Sequence, residues 1–247
     1  MLDVLIDVYR YKSSMPGILG ISGFLWWLEK ERGYVIGMTR GHVSKKDLED
    51  WDVFIMVSPS GDISFHDEEI NEIASWVNEG GILFVGRPVE HFEGINKLLK
   101  VFDAEFLEDK ANSYAFFCGV PERFLKADSR FKLIRDFLGK HKINENLKAV
   151  AEIPGKDPKI APYFLKVSKD WTVLGAAMMG NKPGAVAAIR NYGRGLVFAV
   201  GLLYMFYRWA YWWHHRHFEY DERSNLSNVK FLSQIFDFFE EHCRKLE

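Results

Sequence analysis

The densest chemistry in the chain lies in "YRWAYWWHHRHFEYDE", residues 207–222, where three histidines sit among three tryptophans and run into acids. On a helix, His214, His217 and Asp221 share one face. On a strand, His215, His217, Glu219 and Asp221 alternate onto one face. Either arrangement brings imidazoles to carboxylates, the ligand set of zinc or another divalent transition metal. The spacing matches no named metal motif, since neither H-E-x-x-H nor C-x-x-C occurs. The aromatic residues offer other chemistry. Trp212 and Trp213 can stack on a sugar or base, plug the end of a sheet, or form a protein contact.

A second group gathers cations and hydroxyls. "YRYKSSMPG" carries Arg10, Lys12 and Ser13, "SPSGD" carries Ser58 and Ser60, and Arg87 stands in "GRP". If these segments meet at a helix N-terminus, they form a pocket for a small anion. Two alternatives stay open: "YRYKSS" as a solvated loop, and Arg87 paired with Glu90 or Glu93. Neither G-x-G-x-x-G nor the P-loop signature is present, so no nucleotide fingerprint supports the pocket. His42, His66 and His91 read as isolated loop histidines.

These groups need a frame, and the first half of the chain supplies one. "LDVLIDV", "YVIGMT", "DVFIMVS" and "ILFVG" are short apolar runs of the kind buried in parallel strands. Between them lie helical signals: "GILGISGFLWWLEKERG", a short "KKDLEDW", and "FHDEEINEIASWVNEGG". The last has Ile70, Ile73, Ala74 and Val77 on one face, acids in its first turn and glycines at its end. "FEGINKLLKVF" predicts a further helix.

Strands alternating with helices imply a doubly wound α/β fold with a mainly parallel, flavodoxin-like sheet. The second half predicts strands at "NSYAFFCGV" and "LKAVAEI" around a helix "DSRFKLIRDFLGK". A late antiparallel hairpin follows in "GAVAAIRNYGRGLVFAVGLL", then a closing helix "NVKFLSQIFDFFEEHCRKL". No linker or repeat divides the chain, so residues 1–247 read as a single domain. In such sheets ligands bind beyond the carboxyl ends of the strands, where the two groups above are expected to converge. "RNYGRG" reads as a turn, with Arg190 and Arg194 as alternative flanks of the site.

"WDVFIMVSPSGDISFHDEEINEIASWVNEGGILFVG" resembles the class I glutamine amidotransferase-like superfamily. The shape is a strand ending in a small polar loop, a helix with E-I-x-x-I-x-x-W-V, Gly-Gly, and a strand. "INKLLKVFDAEF" resembles the helix that follows, and "GAVAAIRNYGRGLVFAVGLLYMF" the late hairpin. The likeness is to non-amidotransferase branches: trehalose-utilisation-like proteins, domains of intraflagellar transport proteins, and a domain of some β-galactosidases. An active amidotransferase of this superfamily carries a cysteine on the turn after the strand that here reads "ILFVG". This chain has Gly86-Arg87-Pro88 there, and its cysteines, Cys118 and Cys243, lie elsewhere. The nucleophile is absent. The resemblance implies a non-catalytic domain.

Composition narrows the setting. The 247 residues carry a net charge of -2, with 48% hydrophobic and 27% charged residues. Nothing pulls the whole molecule to nucleic acid or to an anionic membrane. The apolar run at 195–207 falls short of the ~20 residues needed to span a bilayer. No secretory leader is legible and two distant cysteines make no disulfide framework, so a cytoplasmic location is expected. Gln234 is the lone glutamine among many Lys and Glu, a feature expected of a thermophilic source, where thermolabile residues are sparse.

Three functions follow as expectations. The first is binding of a small anionic or carbohydrate-like ligand, or of a protein partner, at the carboxyl end of the sheet by Arg10, Lys12, Ser13, Ser58, Ser60, Arg87, Trp212 and Trp213. It needs no cofactor. The second is a metal-dependent hydrolase, in which a divalent metal such as zinc on His214, His215, His217 and Asp221 activates water. The third is a structural subunit that forms a homo-oligomer or docks a partner through 204–218.

Overall fold

The computed structural model describes residues 1–10, 21–57, 64–88, 92–110, 141–145, 163–179, 182–202 and 228–246. Strands and helices alternate through the first half: β1 (Asp3–Ile6), α1 (Ser22–Trp26), β2 (Val35–Met38), α2 (Lys45–Leu48), β3 (Val53–Met56), α3 (Asp67–Glu79), β4 (Ile82–Gly86) and α4 (Glu93–Lys100). A π-helical turn, Trp27–Glu31, prolongs α1. Then come β5 (Ala104–Lys110), β6 (Tyr163–Val167), β7 (Thr172–Met179), β8 (Lys182–Tyr192), β9 (Gly195–Val200) and a last helix, α5 (Asn228–Arg244).

The nine described strands form one sheet in the order β2-β1-β3-β4-β9-β8-β6-β5, with β7 paired to β8 outside that path. The pairs β1–β2, β1–β3, β3–β4 and β4–β9 are parallel. The pairs β8–β9, β7–β8, β6–β8 and β5–β6 are antiparallel. The observed architecture is thus the expected doubly wound α/β fold, with a parallel central part, β2-β1-β3-β4-β9, and antiparallel strands beyond it that include the late hairpin.

Alternation along the strands explains why both faces are covered. Val4, Ile6, Val53, Ile55, Ile82, Phe84, Leu196 and Phe198 point to one face, where Phe24 and Trp27 and, from α5, Phe231, Leu232, Ile235, Phe236 and Phe239 meet them. Leu5, Phe54, Met56, Leu83, Val85, Val197 and Ala199 point to the other, under Leu48 of α2, Ile70, Ile73 and Val77 of α3, and Leu98 and Leu99 of α4. With two apolar faces, the central strands must be almost wholly hydrophobic, and β3, β4 and β9 are buried throughout.

Two features differ from the sequence expectation. α4 stops at Lys100, and Asp103 adopts a left-handed φ of 55°. That reversal turns Ala104–Phe106 into strand β5, where the family likeness suggested more helix. Arg190 fixes the turn by donating to Phe102 O at 2.6 Å and Asp103 Oδ2 at 2.7 Å. β6 was also unforeseen; it carries Tyr163, Phe164 and Leu165 into the core. The expected strands at 112–120 and 147–153, and the helix at 128–140, lie outside the described residues.

Candidate functional site

The carboxyl ends of β1 and β2 carry a buried ionic cluster. Asp7 follows β1, and its Oδ1 accepts from the Arg10 backbone N–H at 3.1 Å and from Thr39 Oγ1 at 2.9 Å. Arg10 Nη1 donates to Asp7 Oδ2 at 3.0 Å. Its Nη2 lies 2.7 Å from both carboxylate oxygens of Glu69, in the first turn of α3. The Arg10 side chain has no exposed surface, and its guanidinium lies 3.9 Å above the Phe65 ring. Two carboxylates against one guanidinium leave this cluster one negative charge in excess.

Glu69 reaches further. Its Oε1 accepts the Val43 N–H at 3.0 Å, and its Oε2 lies 2.8 Å from His42 Nδ1. Burial pushes the Glu69 carboxyl up, but the Val43 N–H, His42 and Arg10 together hold it below its ordinary value. His42 Nδ1 is also 2.9 Å from Arg10 Nη2. The imidazole is thus fixed from beneath, while 36% of its side chain faces solvent. The exposed His66 ring lies against it, with centroids 4.4 Å apart. Tyr9 meets His42 edge-on at 5.3 Å. The result is a rim of three rings, Tyr9, His42 and His66, above buried carboxylates.

Farther along the same sheet end, the turn after β4 reads Gly86-Arg87-Pro88. Arg87 is fully buried, and its guanidinium lies 4.1 Å over the Tyr163 ring at the start of β6. Phe92 packs edge-on against Tyr163 with centroids 4.7 Å apart. A side chain enclosed in this way places a fixed charge, and no Cys, Ser or His, on the turn after β4.

Of the residues singled out in the sequence, Arg10 and Arg87 both sit at the carboxyl end. β3 separates β1 from β4, so they occupy different parts of it. The charge of Arg10 is taken up by Asp7 and Glu69 rather than offered to a ligand. Arg190 and Arg194, suggested as flanks, belong to the opposite end. The β8–β9 turn, with Gly193 at φ 58°, packs on the end of α3, where Arg194 N–H donates to Asn78 O at 2.9 Å. Lys12, Ser13, Ser58, Ser60, Trp212, Trp213, His214, His215, His217 and Asp221 lie outside the described residues. Asp7, Thr39 and Glu69 were missed, and His42 and His66, read as isolated loop histidines, lie against each other. Only their positions just past strand ends, or at the start of α3, could have drawn attention to them.

Among the described residues, no three His, Cys, Asp or Glu side chains converge to hold a metal ion. No described helix is long and apolar enough to cross a membrane.

No protein-family model and no curated protein matches the chain. Solved structures do. The mmIFT52 N-terminal domain superposes with a TM-score of 0.63 at 15% identity, covering 96% of each chain. A cytoplasmic protein of Salmonella typhimurium LT2 gives 0.58 at 12% identity, covering 96% of this chain and 99% of that one. A ThuA-like protein from Bacteroides uniformis gives 0.57 at 12%, covering 96% and 91%. At such identities the likeness is one of fold: the chain has a ThuA-like, amidotransferase-like α/β architecture.

Proposed function

We propose that residues 1–247 form a single non-catalytic domain of this ThuA-like, amidotransferase-like fold, binding a small hydroxyl-rich ligand at the carboxyl end of the sheet. The observation that carries the non-catalytic part is the buried Arg87 on the turn after β4. Acyl transfer by the superfamily's mechanism needs an exposed thiolate there, with backbone N–H groups facing the developing oxyanion. An enclosed guanidinium can do neither.

The ligand class rests on what the rim offers. Tyr9, His42 and His66 present ring faces and edges with polar atoms, the mixture that suits stacking on a sugar and bonding to its hydroxyls. A phosphate or carboxylate is less suited to the β1–β2 side, because the cluster beneath is net negative.

The test pairs an activity assay with a binding screen. The protein should hydrolyse no glutamine. Its melting temperature should rise with one or more neutral monosaccharides, more than with inorganic phosphate, and Tyr9→Ala should abolish the rise. Glutaminase activity lost on Cys118→Ala would refute the non-catalytic reading. A response to phosphate alone would refute the ligand class. The expected contact through 204–218 is a separate proposal: Trp212→Ala or Trp213→Ala should lower the sedimentation mass if copies of this chain associate there.

A further inference from the structure

We propose that His42 and His66 form the protein half of a binding site for a divalent transition metal of the zinc, nickel and copper class, with Glu69 as the carboxylate that orients it from behind. The proposal uses two rings of the same rim but does not depend on the ligand class above, since its readout is binding of the metal alone.

The first argument is the way His42 is held. A metal-ligating histidine usually gives its other ring N–H to a carboxylate, which fixes the tautomer and raises the basicity of the free nitrogen. Glu69 Oε2 stands 2.8 Å from His42 Nδ1, placed for that role in the tautomer with the proton on Nδ1; Arg10 Nη2, 2.9 Å from the same nitrogen, and the Val43 N–H anchor Glu69 itself. With Nδ1 engaged below the surface, Nε2 is left as the nitrogen for an external ligand.

The second argument is proximity. The His42 and His66 ring centroids lie 4.4 Å apart with their planes inclined at 47°. With metal–nitrogen bonds of about 2.0–2.1 Å, two imidazoles on one ion have centroids roughly 4.5 Å apart at a right angle and roughly 5.2 Å apart at the tetrahedral angle. The rings are therefore near the spacing of a chelating pair. Small side-chain rotations of His66, which is exposed, cover the difference.

Charge is the third. A helix N-terminus repels cations, and His66 is the N-cap residue of α3. Glu68 in the first turn and the one excess negative charge of the Asp7–Arg10–Glu69 cluster beneath the rim offset that field, while Asp67 is paired with Lys97. Two protein ligands leave the remaining positions to water, so the ion would be open to an incoming group.

Isothermal titration of the full chain with Zn²⁺ and with Ni²⁺ alone tests this. The wild type should bind one equivalent saturably. His42→Ala and His66→Ala should each weaken binding at least about tenfold, and Glu69→Gln should weaken it by about tenfold or more. A His214/His215/His217→Ala triple variant should keep the site. Electron paramagnetic resonance of the Cu²⁺ form should show two coupled imidazole nitrogens in wild type and one in either single variant. Because both histidines are exposed, their variants should fold, and they decide the matter even if Glu69→Gln does not fold. Absence of saturable binding, wild-type affinity in both single variants, or loss of the site only in the triple variant would each overturn the proposal.

Discussion

Glu69 Oε2 and His42 Nδ1 lie 2.8 Å apart, although one residue opens α3 and the other precedes α2. The same carboxylate receives Arg10 from the loop after β1. Three segments that leave one end of the sheet are thereby tied at a single side chain.

That tie should be costly to cut. Glu69→Gln leaves the buried Arg10 guanidinium facing Asp7 alone and sets an amide beside it. Removing one partner of a buried pair costs about 3–5 kcal/mol. Urea unfolding at neutral pH should show a loss of this size, and a loss under about 1 kcal/mol would mean that Asp7 suffices for Arg10. The pH dependence has a definite sign. The folded Glu69 carboxyl is held below its ordinary 4.5, so its contribution is present above that pH and is lost as pH falls through the lowered value. Wild-type stability should drop on acidification below about pH 4.5, and the variant should drop less steeply there.

An opposite slope is expected at high pH from Tyr34. Its hydroxyl donates to Glu240 Oε1 at 2.7 Å and accepts from Arg32 Nη2 at 2.8 Å. Burial and then the bond to Glu240 push the phenol well above its ordinary value, against the pull of Arg32. The unfolded chain ionises this tyrosine at about pH 10 while the folded chain does not, so its contribution fades as pH rises past that point. Tyr34→Phe should cost about 1 kcal/mol at neutral pH and reduce the alkaline loss, as read from melting temperatures between pH 7 and 11.

Phe236 is where α5 docks. Its ring lies 5.5–6.3 Å from those of Phe24 and Trp27 on α1 and its π-helical extension, Tyr34 before β2, Phe84 of β4, and Phe239 of α5 itself. Phe236→Ala should cost about 3–5 kcal/mol in urea unfolding. A substantially smaller cost would mean that the neighbouring rings close the gap.

Gly201 marks the place where the parallel and antiparallel parts of the sheet meet. Its N–H donates to Val186 O at 2.7 Å and its carbonyl accepts from the Tyr163 N–H at 3.0 Å. A Cβ at this position would sit 1.9 Å from the Tyr163 carbonyl oxygen. Gly201→Ala must therefore separate β6 from the end of β9, at a cost of about 1–3 kcal/mol or more. The shift should extend to Arg87, which lies over the Tyr163 ring. A melting temperature equal to that of wild type would contradict this packing.

The sequence by itself determined the layered fold. Runs such as "VFIM" and "ILFVG" can be stable only with apolar cover on both sides, and the amphipathic "EEINEIASWV" supplies such cover. It also shows that no Cys, Ser or His stands on the turn after β4, since Gly86-Arg87-Pro88 can be read directly after the strand that precedes it. Both signals are local, carried by neighbouring residues with a fixed period. The ionic cluster is not local. Arg10 and Glu69 are 59 positions apart, and each alone resembles an ordinary surface charge. His42 and His66 look like solitary loop histidines until the parallel sheet brings the segments after β2 and β3 out at the same end. Tertiary structure also decided that Arg10 faces two carboxylates, because in the interior a buried guanidinium must find its counter-charge wherever the chain returns. Strand period and helix period write the scaffold into the sequence; the pairing of charges and rings at the sheet's end is fixed only when the crossovers close.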